Sequence, residues 1–305
     1  LNSIDIIIVN YESTESLIRL LGSVHEVLGG RPATIRIQDN HSRDGVERVA
    51  HLFPQVILTT NQRNLGFARA ANQAIRQPGA PYLFLLNPDV IVETGLFDSI
   101  VEFMDKNPDV GIVGPRILNS DGSLQGSARA FPSLLTSVFG RSSLLTRIWP
   151  DNRISRMSNL SAASDGKTPM RVDWISGACM AVRREAVDEV GCLDERFFLY
   201  WEDVDWCKRM RQMGWQVVYF PQATVMHQVG GSSGKRPMRC ILDFHKSCYR
   251  FLSKHGHPSV RFAGPLVIAL LAMRLVVSFL INRVGACSTG RASRRGTEGI
   301  KASRV

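Results

Sequence analysis

Two rhythms of apolar residues alternate along the chain. Ile4–Asn10 is a continuous apolar run closed by an asparagine, the pattern of a strand buried on both faces. From Thr14 the spacing changes: Leu17, Leu20, Leu21, Val24 and Leu28 recur at helical intervals until Gly29-Gly30 ends the stretch. Ala33–Asp39, with Ile35 and Ile37 alternating, predicts a strand, 45–53 a short helix and Val56–Thr60 a strand. Gly66–Gln77 reads as a helix, Tyr82–Asn87 as a strongly apolar strand, Thr94–Asn107 as a helix, and Val110–Val113 starts another strand. Such alternation predicts an α/β chain, a mostly parallel sheet with helices on both faces.

The rhythm breaks over 119–172, rich in Ser, Arg and Pro, which reads as an extended excursion over a site. Regular structure resumes over Trp174–Val182, followed by a helix at Arg184–Val190. Two short strands at Trp215–Phe220 and Thr224–His227 and a basic, aromatic helix at Met238–His255 complete the folded pattern.

Ligands of parallel sheets bind outside the carboxyl ends of the strands. Asn10-Tyr11, Asp39-Asn40, Asn61 and Asn87-Pro88-Asp89 all fall there, and four polar strand ends in succession point to a site. Asp89 after a buried strand can hold a divalent cation against a diphosphate, although Asn-Pro is also a simple turn signal. His227 precedes Gly230-Gly231, whose small size permits close approach of a phosphate.

The densest chemistry lies in Phe197-Phe198-Leu199-Tyr200-Trp201-Glu202-Asp203-Val204-Asp205. Three carboxylates follow a wall of large apolar and aromatic residues, where a helix begins. An acidic helix cap has the same signature. The rings alongside suit a sugar face, with a carboxylate as base for its hydroxyl group. Glu202 and Asp205 are expected to raise the pKa of Asp203 as like charges.

Composition narrows the classes. The chain has 305 residues, 44% hydrophobic, enough for a sizeable core. Its six cysteines form no CxxC pair, which fits free thiols in a reducing cytoplasm. The net charge of +10 is confined to two segments, 126–171 and 283–305, each contributing +5. Local basic segments suit phosphate-bearing ligands and an anionic membrane surface better than nucleic acid, which asks for a basic face on the folded body. No GxGxxG follows the first strand, against a dinucleotide fold, and Gly231-Ser232-Ser233-Gly234-Lys235 lacks the first glycine and the Ser/Thr of a phosphate loop.

Taken together, Ile6-Ile7-Ile8-Val9-Asn10-Tyr11, Asp39-Asn40, Asn64-Leu65-Gly66-Phe67, Asn72, Asn87-Pro88-Asp89, Trp174 to Ala178, Phe198 to Asp205 and His227 resemble the family 2 glycosyltransferases. The resemblance is strongest to the bacterial rhamnosyltransferase-like branch and covers about residues 4–235 in order. It implies a GT-A fold, a nucleotide-sugar donor, Mg²⁺ or Mn²⁺, and inversion at the anomeric carbon. By match, Asp203 is the catalytic base; Trp174, Trp201 and Glu202 are the acceptor candidates beside it, the two rings suited to stacking on sugar faces or equally to core packing. Asn10, Tyr11, Asp39, Asn64, Gly66 and Asn87 bind the donor, with Asp39 at the base, and Asp89 and His227 serve the metal–diphosphate. Many relatives carry Asp-x-Asp at the metal motif; position 87 here is Asn, one carboxylate fewer.

On this reading, 1–118 is the nucleotide-sugar half and 119–236 the acceptor and catalytic half of one domain. Residues 237–284 form C-terminal helices and 285–305 a disordered basic tail. Leu266–Ile281 is apolar except for Arg274 and Ser278, short for a membrane span, and followed by the basic tail. Residues 263–282 are therefore expected to lie in the membrane interface on the cytoplasmic face. That placement suggests transfer of a single sugar, with rhamnose a candidate, to a polyprenyl-diphosphate-linked or glycan acceptor in cell-surface glycan synthesis. Two alternatives stay open: a nucleotidyltransferase making nucleotide sugars, and a non-catalytic sugar-nucleotide-binding membrane scaffold.

Overall fold

The computed structural model describes residues 2–132, 136, 159–228 and 237–256, with positions 268–270, 272–273 and 275–276. The chain opens with β1 (Ile4–Asn10), α1 (Thr14–Val27), β2 (Ala33–Asp39), α2 (Arg48–Leu52), β3 (Ile57–Thr60), α3 (Phe67–Ile75) and β4 (Tyr82–Leu86). It continues through β5 (Val90–Val92), α4 (Leu96–Lys106), β6 (Val110–Leu118), β7 (Ala128–Arg129), β8 (Met170–Arg171), β9 (Trp174–Ile175), β10 (Cys179–Arg183) and α5 (Arg184–Val190). The described part closes with α6 (Glu202–Gln212), β11 (Gln216–His227) and α7 (Pro237–His255).

One sheet runs in the order β3-β2-β1-β4-β10-β6-β11-β5, with β8 added to β11. β1 to β4 are mutually parallel, as are β6 and β11. β10 lies between β4 and β6 antiparallel to both, and β5 is antiparallel to β11. The sheet is thus mixed rather than nearly all parallel, because β10 arrives from the late part of the sequence. Strands from before and after residue 118 share it.

Every residue of β1 is buried, as its unbroken apolar run requires. Ile4, Ile6 and Ile8 face one layer with α1 and α4, whereas Ile7 and Val9 face the other with α3, α5 and α6. Asp5 on the second face is buried but neutralised by Arg184 at 2.9 Å. The expected pair of strands near the end is one strand, β11, whose register against β6 shifts between Phe220 and Thr224. Pro221 has no N–H to donate, so the break read in the sequence is a bulge inside the strand.

A third cluster joins α6 to α7. Phe197, Trp201 and Val204 pack against Cys248, Phe251 and Leu252. Beside it, Asp205 is fully buried and meets Lys254 at 2.6 Å, His255 at 2.7 Å and Arg209 at 2.9 Å. Burial alone would push the Asp205 carboxyl up; the bonds from His255, Lys254 and Arg209 outweigh it and hold the group below the usual carboxylate range.

Five of the six cysteines are described and free. Residues 133–135 and 137–158 of the excursion, 231–235, thirteen of the twenty residues 263–282 and the tail 285–305 lie outside the described residues. Among the described residues no helix is long and apolar enough to cross a membrane.

Candidate functional site

A cavity of about 770 Å³ opens at the carboxyl ends of β1, β2, β3 and β4. Three groups of residues build it. Tyr11, Asn40, Asn64, Gly66 and Asn87 come from the loops after those strands, and Gln125, Arg129 and Trp174 from the excursion and its return. The third wall is Phe198 through Val204, backed by Phe244 of α7. Four described non-glycine residues have positive φ: Glu12, His41, Tyr200 and Trp201. All four line this cavity. Left-handed backbone costs a side-chain-bearing residue on the order of 1–3 kcal/mol, and its concentration here marks the cavity as the functional part of the fold.

Trp201 caps α6 in the left-handed conformation, so the aromatic wall turns sharply into the helix. Its ring lies 5.6 Å from Phe244 and 5.3 Å from Phe251, centroid to centroid. The next two side chains then face the cavity. Asp203 is half-buried; its Oδ2 accepts the Gly177 N–H at 2.9 Å and its Oδ1 the Val204 N–H at 2.8 Å. Glu202 is buried, and no partner among the described residues reaches its Oε2. Burial, and then the charge of Asp203, push the Glu202 carboxyl well above its usual range. The expected cluster of three like charges is therefore divided. Asp205 points into the ion cluster with α7 and does not line the cavity, and the carboxyl that is pushed up is Glu202.

On the strand-end side, His227 Nε2 lies 3.1 Å from Asp89 Oδ1, and Nδ1 lies 2.8 Å from Gln125 Oε1. Both Asp89 and His227 line the cavity. A carboxylate and an imidazole that converge here, beside Asn87, fit a divalent cation completed by diphosphate oxygens. Among the described residues no three His, Cys, Asp or Glu side chains form a metal cluster.

Two predicted donor residues stand behind the wall. Asn10 and Asp39 are fully buried, lie opposite each other in the β1–β2 register and do not line the cavity. Asp39 Oδ1 accepts from Asn10 Nδ2 at 2.8 Å and Oδ2 from the Ser42 N–H at 2.9 Å. They hold the loops that carry Tyr11 and Asn40. Asn64 accepts the Gly66 N–H at 2.9 Å. Gly66 has φ +84°, and a Cβ there would stand 2.5 Å from the Phe198 carbonyl oxygen. That carbonyl also accepts the Phe67 N–H at 2.8 Å, tying α3 to the aromatic wall. Trp174 Nε1 donates to the Ala130 carbonyl at 2.9 Å. Gln125 carries no signal in the sequence beyond its place in the excursion, whereas Arg129 lies in the basic segment 126–171 and Gly177 in the motif from Trp174 to Ala178.

The model of the family described as "Glycosyltransferase like family 2" matches residues 2–241. A relative from Mycobacterium tuberculosis, named N-acetylglucosaminyl-diphospho-decaprenol L-rhamnosyltransferase, is 34% identical over 260 residues, 81% of this chain and 83% of its own. Two solved structures share the fold. The mannosyltransferase PcManGT from Pyrobaculum calidifontis, in complex with GDP-Man and Mn²⁺, matches at TM-score 0.53 and 16% identity, over 95% of this chain and 79% of its own. GalNAc-T7 with UDP, GalNAc and Mn²⁺ matches at 0.55 and 18%, over 75% of this chain, which spans only 43% of that longer one.

The environment of Glu202 makes a prediction about stability. The unfolded carboxyl ionises near pH 4.3, at about the ordinary glutamate value, while the folded one keeps its proton to higher pH. Folding stability therefore falls as pH rises through that window, by at most about 1.4 kcal/mol per pH unit from this group. Glu202→Gln removes the slope. Thermal unfolding of wild type and variant between pH 4 and 8 should show the variant gaining relative stability as pH rises; parallel curves would contradict the assignment.

Proposed function

The chain belongs to the family 2-like glycosyltransferases, and from that premise we propose that it moves one sugar, with inversion, from a nucleotide donor to a lipid-linked acceptor, using Asp203 as base. The observation that carries the reading is the placing of Asp203 on one wall of a single cavity and the Asp89–His227 pair on the strand ends of the same cavity. Inverting transfer is a single displacement. It needs one base for the acceptor hydroxyl and stabilisation of the departing diphosphate.

In this scheme the Gly177 N–H and the start of α6 orient the Asp203 carboxylate, which takes the proton of the attacking hydroxyl. Glu202, whose carboxyl burial pushes well above its usual range, faces the acceptor sugar, and Trp174 and Trp201 supply flat apolar faces for the rings. Tyr11, Asn40, Asn64, Gly66 and Asn87 bracket the donor, while Asn10 and Asp39 brace that loop cluster from behind. Asp89 and His227 would hold Mg²⁺ or Mn²⁺, and Gln125 fixes the imidazole orientation through Nδ1. When bound, the cation neutralises charge on the donor diphosphate. Arg129 lies on the same cavity and adds positive charge.

The mycobacterial relative supports rhamnose as the sugar and a polyprenyl-diphosphate-linked amino sugar as the acceptor. An acceptor carried on a polyprenyl lipid would place the work at a membrane surface. Ile268, Met273 and Val276 are exposed apolar residues in the C-terminal stretch, which suits contact with lipid.

Asp203→Asn keeps the size of the side chain and removes the proton acceptor. Turnover should fall roughly 100- to 10,000-fold with donor affinity nearly unchanged. Near-normal turnover in a steady-state assay would reject Asp203 as base. Chelation should abolish transfer, and added Mn²⁺ or Mg²⁺ should restore it. Asp89→Ala should raise the donor KM by about tenfold or more, as expected for loss of a charged ligand near a diphosphate. Full activity in excess chelator would remove the metal from the scheme.

A further inference from the structure

We propose that a second, basic groove on α7 binds the diphosphate of the lipid-linked acceptor. The inference rests on the acceptor reading above. The groove, about 600 Å³, lies beside the active cavity, and Phe198 and Asp243 line both. Four cations line it: Arg196, Lys246, Arg250 and Lys254. Two of them have structural duties. Lys254 bonds Asp194 and Asp205, and Arg196 bonds Asp194. The others do not. Lys246 and Arg250 are exposed, one helical turn apart, and no acidic side chain pairs with either among the described residues.

Like charges four residues apart weaken a helix slightly, so stability does not explain the pair. Their Cβ atoms stand about 5–6 Å apart, as for any i,i+4 pair, a spacing that brackets the two phosphoryl groups of a diphosphate. Lysine offers a point charge and arginine a planar fork, both suited to phosphoryl oxygens. Asp243, the only acid on the groove wall among the described residues, leans toward Arg239 at 3.8 Å. An acceptor sugar at Asp203 would pass its anomeric diphosphate over Phe198 and Asp243 into the groove. The lipid would then leave along the helix that leads, in sequence, to the apolar run Leu266–Ile281.

Anionic phospholipid offers the same phosphate chemistry, so the test separates the two sources. Farnesyl diphosphate is titrated into the full chain in chelator, which removes any metal-held phosphate site. Lys246→Ala/Arg250→Ala should weaken binding about 10- to 100-fold, the loss expected for two charge-assisted contacts. Lys246→Arg/Arg250→Lys should keep affinity within about threefold, because the charges persist. Both side chains are exposed, so the melting temperature should not change. Phosphatidylglycerol vesicles at equal phosphate concentration should fail to displace the probe. Unchanged affinity in the double alanine variant overturns the assignment, and efficient displacement by the vesicles overturns the diphosphate as ligand. The premise fails separately. If the wild-type chain binds farnesyl diphosphate but glycosylates no lipid-linked acceptor, the acceptor reading falls and the groove stands. If it glycosylates such lipids and the double alanine variant keeps the acceptor KM, only the groove assignment falls.

Discussion

The left-handed turn at Tyr200–Trp201 is the constraint on which the site depends. It ends the aromatic wall and starts α6 at the point that leaves Asp203 against the Gly177 N–H. Two left-handed side-chain-bearing residues cost on the order of 1–3 kcal/mol each. Burial of the Trp201 ring returns about 2–3 kcal/mol, and its contacts with Phe244 and Phe251 about 1 kcal/mol each. The terms are of one size, so the turn persists because α7 is docked on it. Ser247 adds a hydrogen bond to the Leu199 carbonyl at 3.0 Å.

Asp205 makes that docking strict. It sits on the far side of α6 from Asp203, with Arg209, Lys254 and His255 around it. A buried ion cluster adds little net stability, yet losing one partner leaves uncompensated charge and costs about 3–5 kcal/mol. Such a cluster selects one seating of α7 over others. The helix α7 is thus part of the cavity wall, with Arg239, Cys240, Asp243 and Phe244 lining it. The same helix carries the basic groove on its outer side. One rigid element therefore connects the aromatic wall beside Asp203 with the basic groove.

Much of the fold was legible in hydropathy. Unbroken apolar runs gave away β1 and β4, and 3.6-residue spacing gave α1 and α4, because burial on both faces or on one stripe leaves those signatures. Strand direction leaves none, so the antiparallel insertion of β10 between β4 and β6 could not be read. β5 is three residues long and was invisible for that reason. Among the candidate site residues, Tyr11, Asn87 and Asp89 at the strand ends line the cavity. Strand-end position could not tell that Asn10 and Asp39 are buried behind the cavity wall, where Asn10 Nδ2 donates to Asp39 across neighbouring strands. The acidic segment was more legible than it was read. At 100° per residue, Asp203 and Asp205 point about 200° apart on a helix, so they could not share one pocket. The family assignment selects glycosyl transfer over nucleotidyl transfer, which the strand pattern alone left open.

If Asp203 acts as base in a single displacement, the reaction has a stereochemical signature. The direct measurement is the anomeric configuration of the transferred sugar, followed by NMR in the first turnovers with a donor of known configuration. The account predicts a product inverted at the anomeric carbon. Retention would require a covalent or front-face route and would contradict the role given to Asp203.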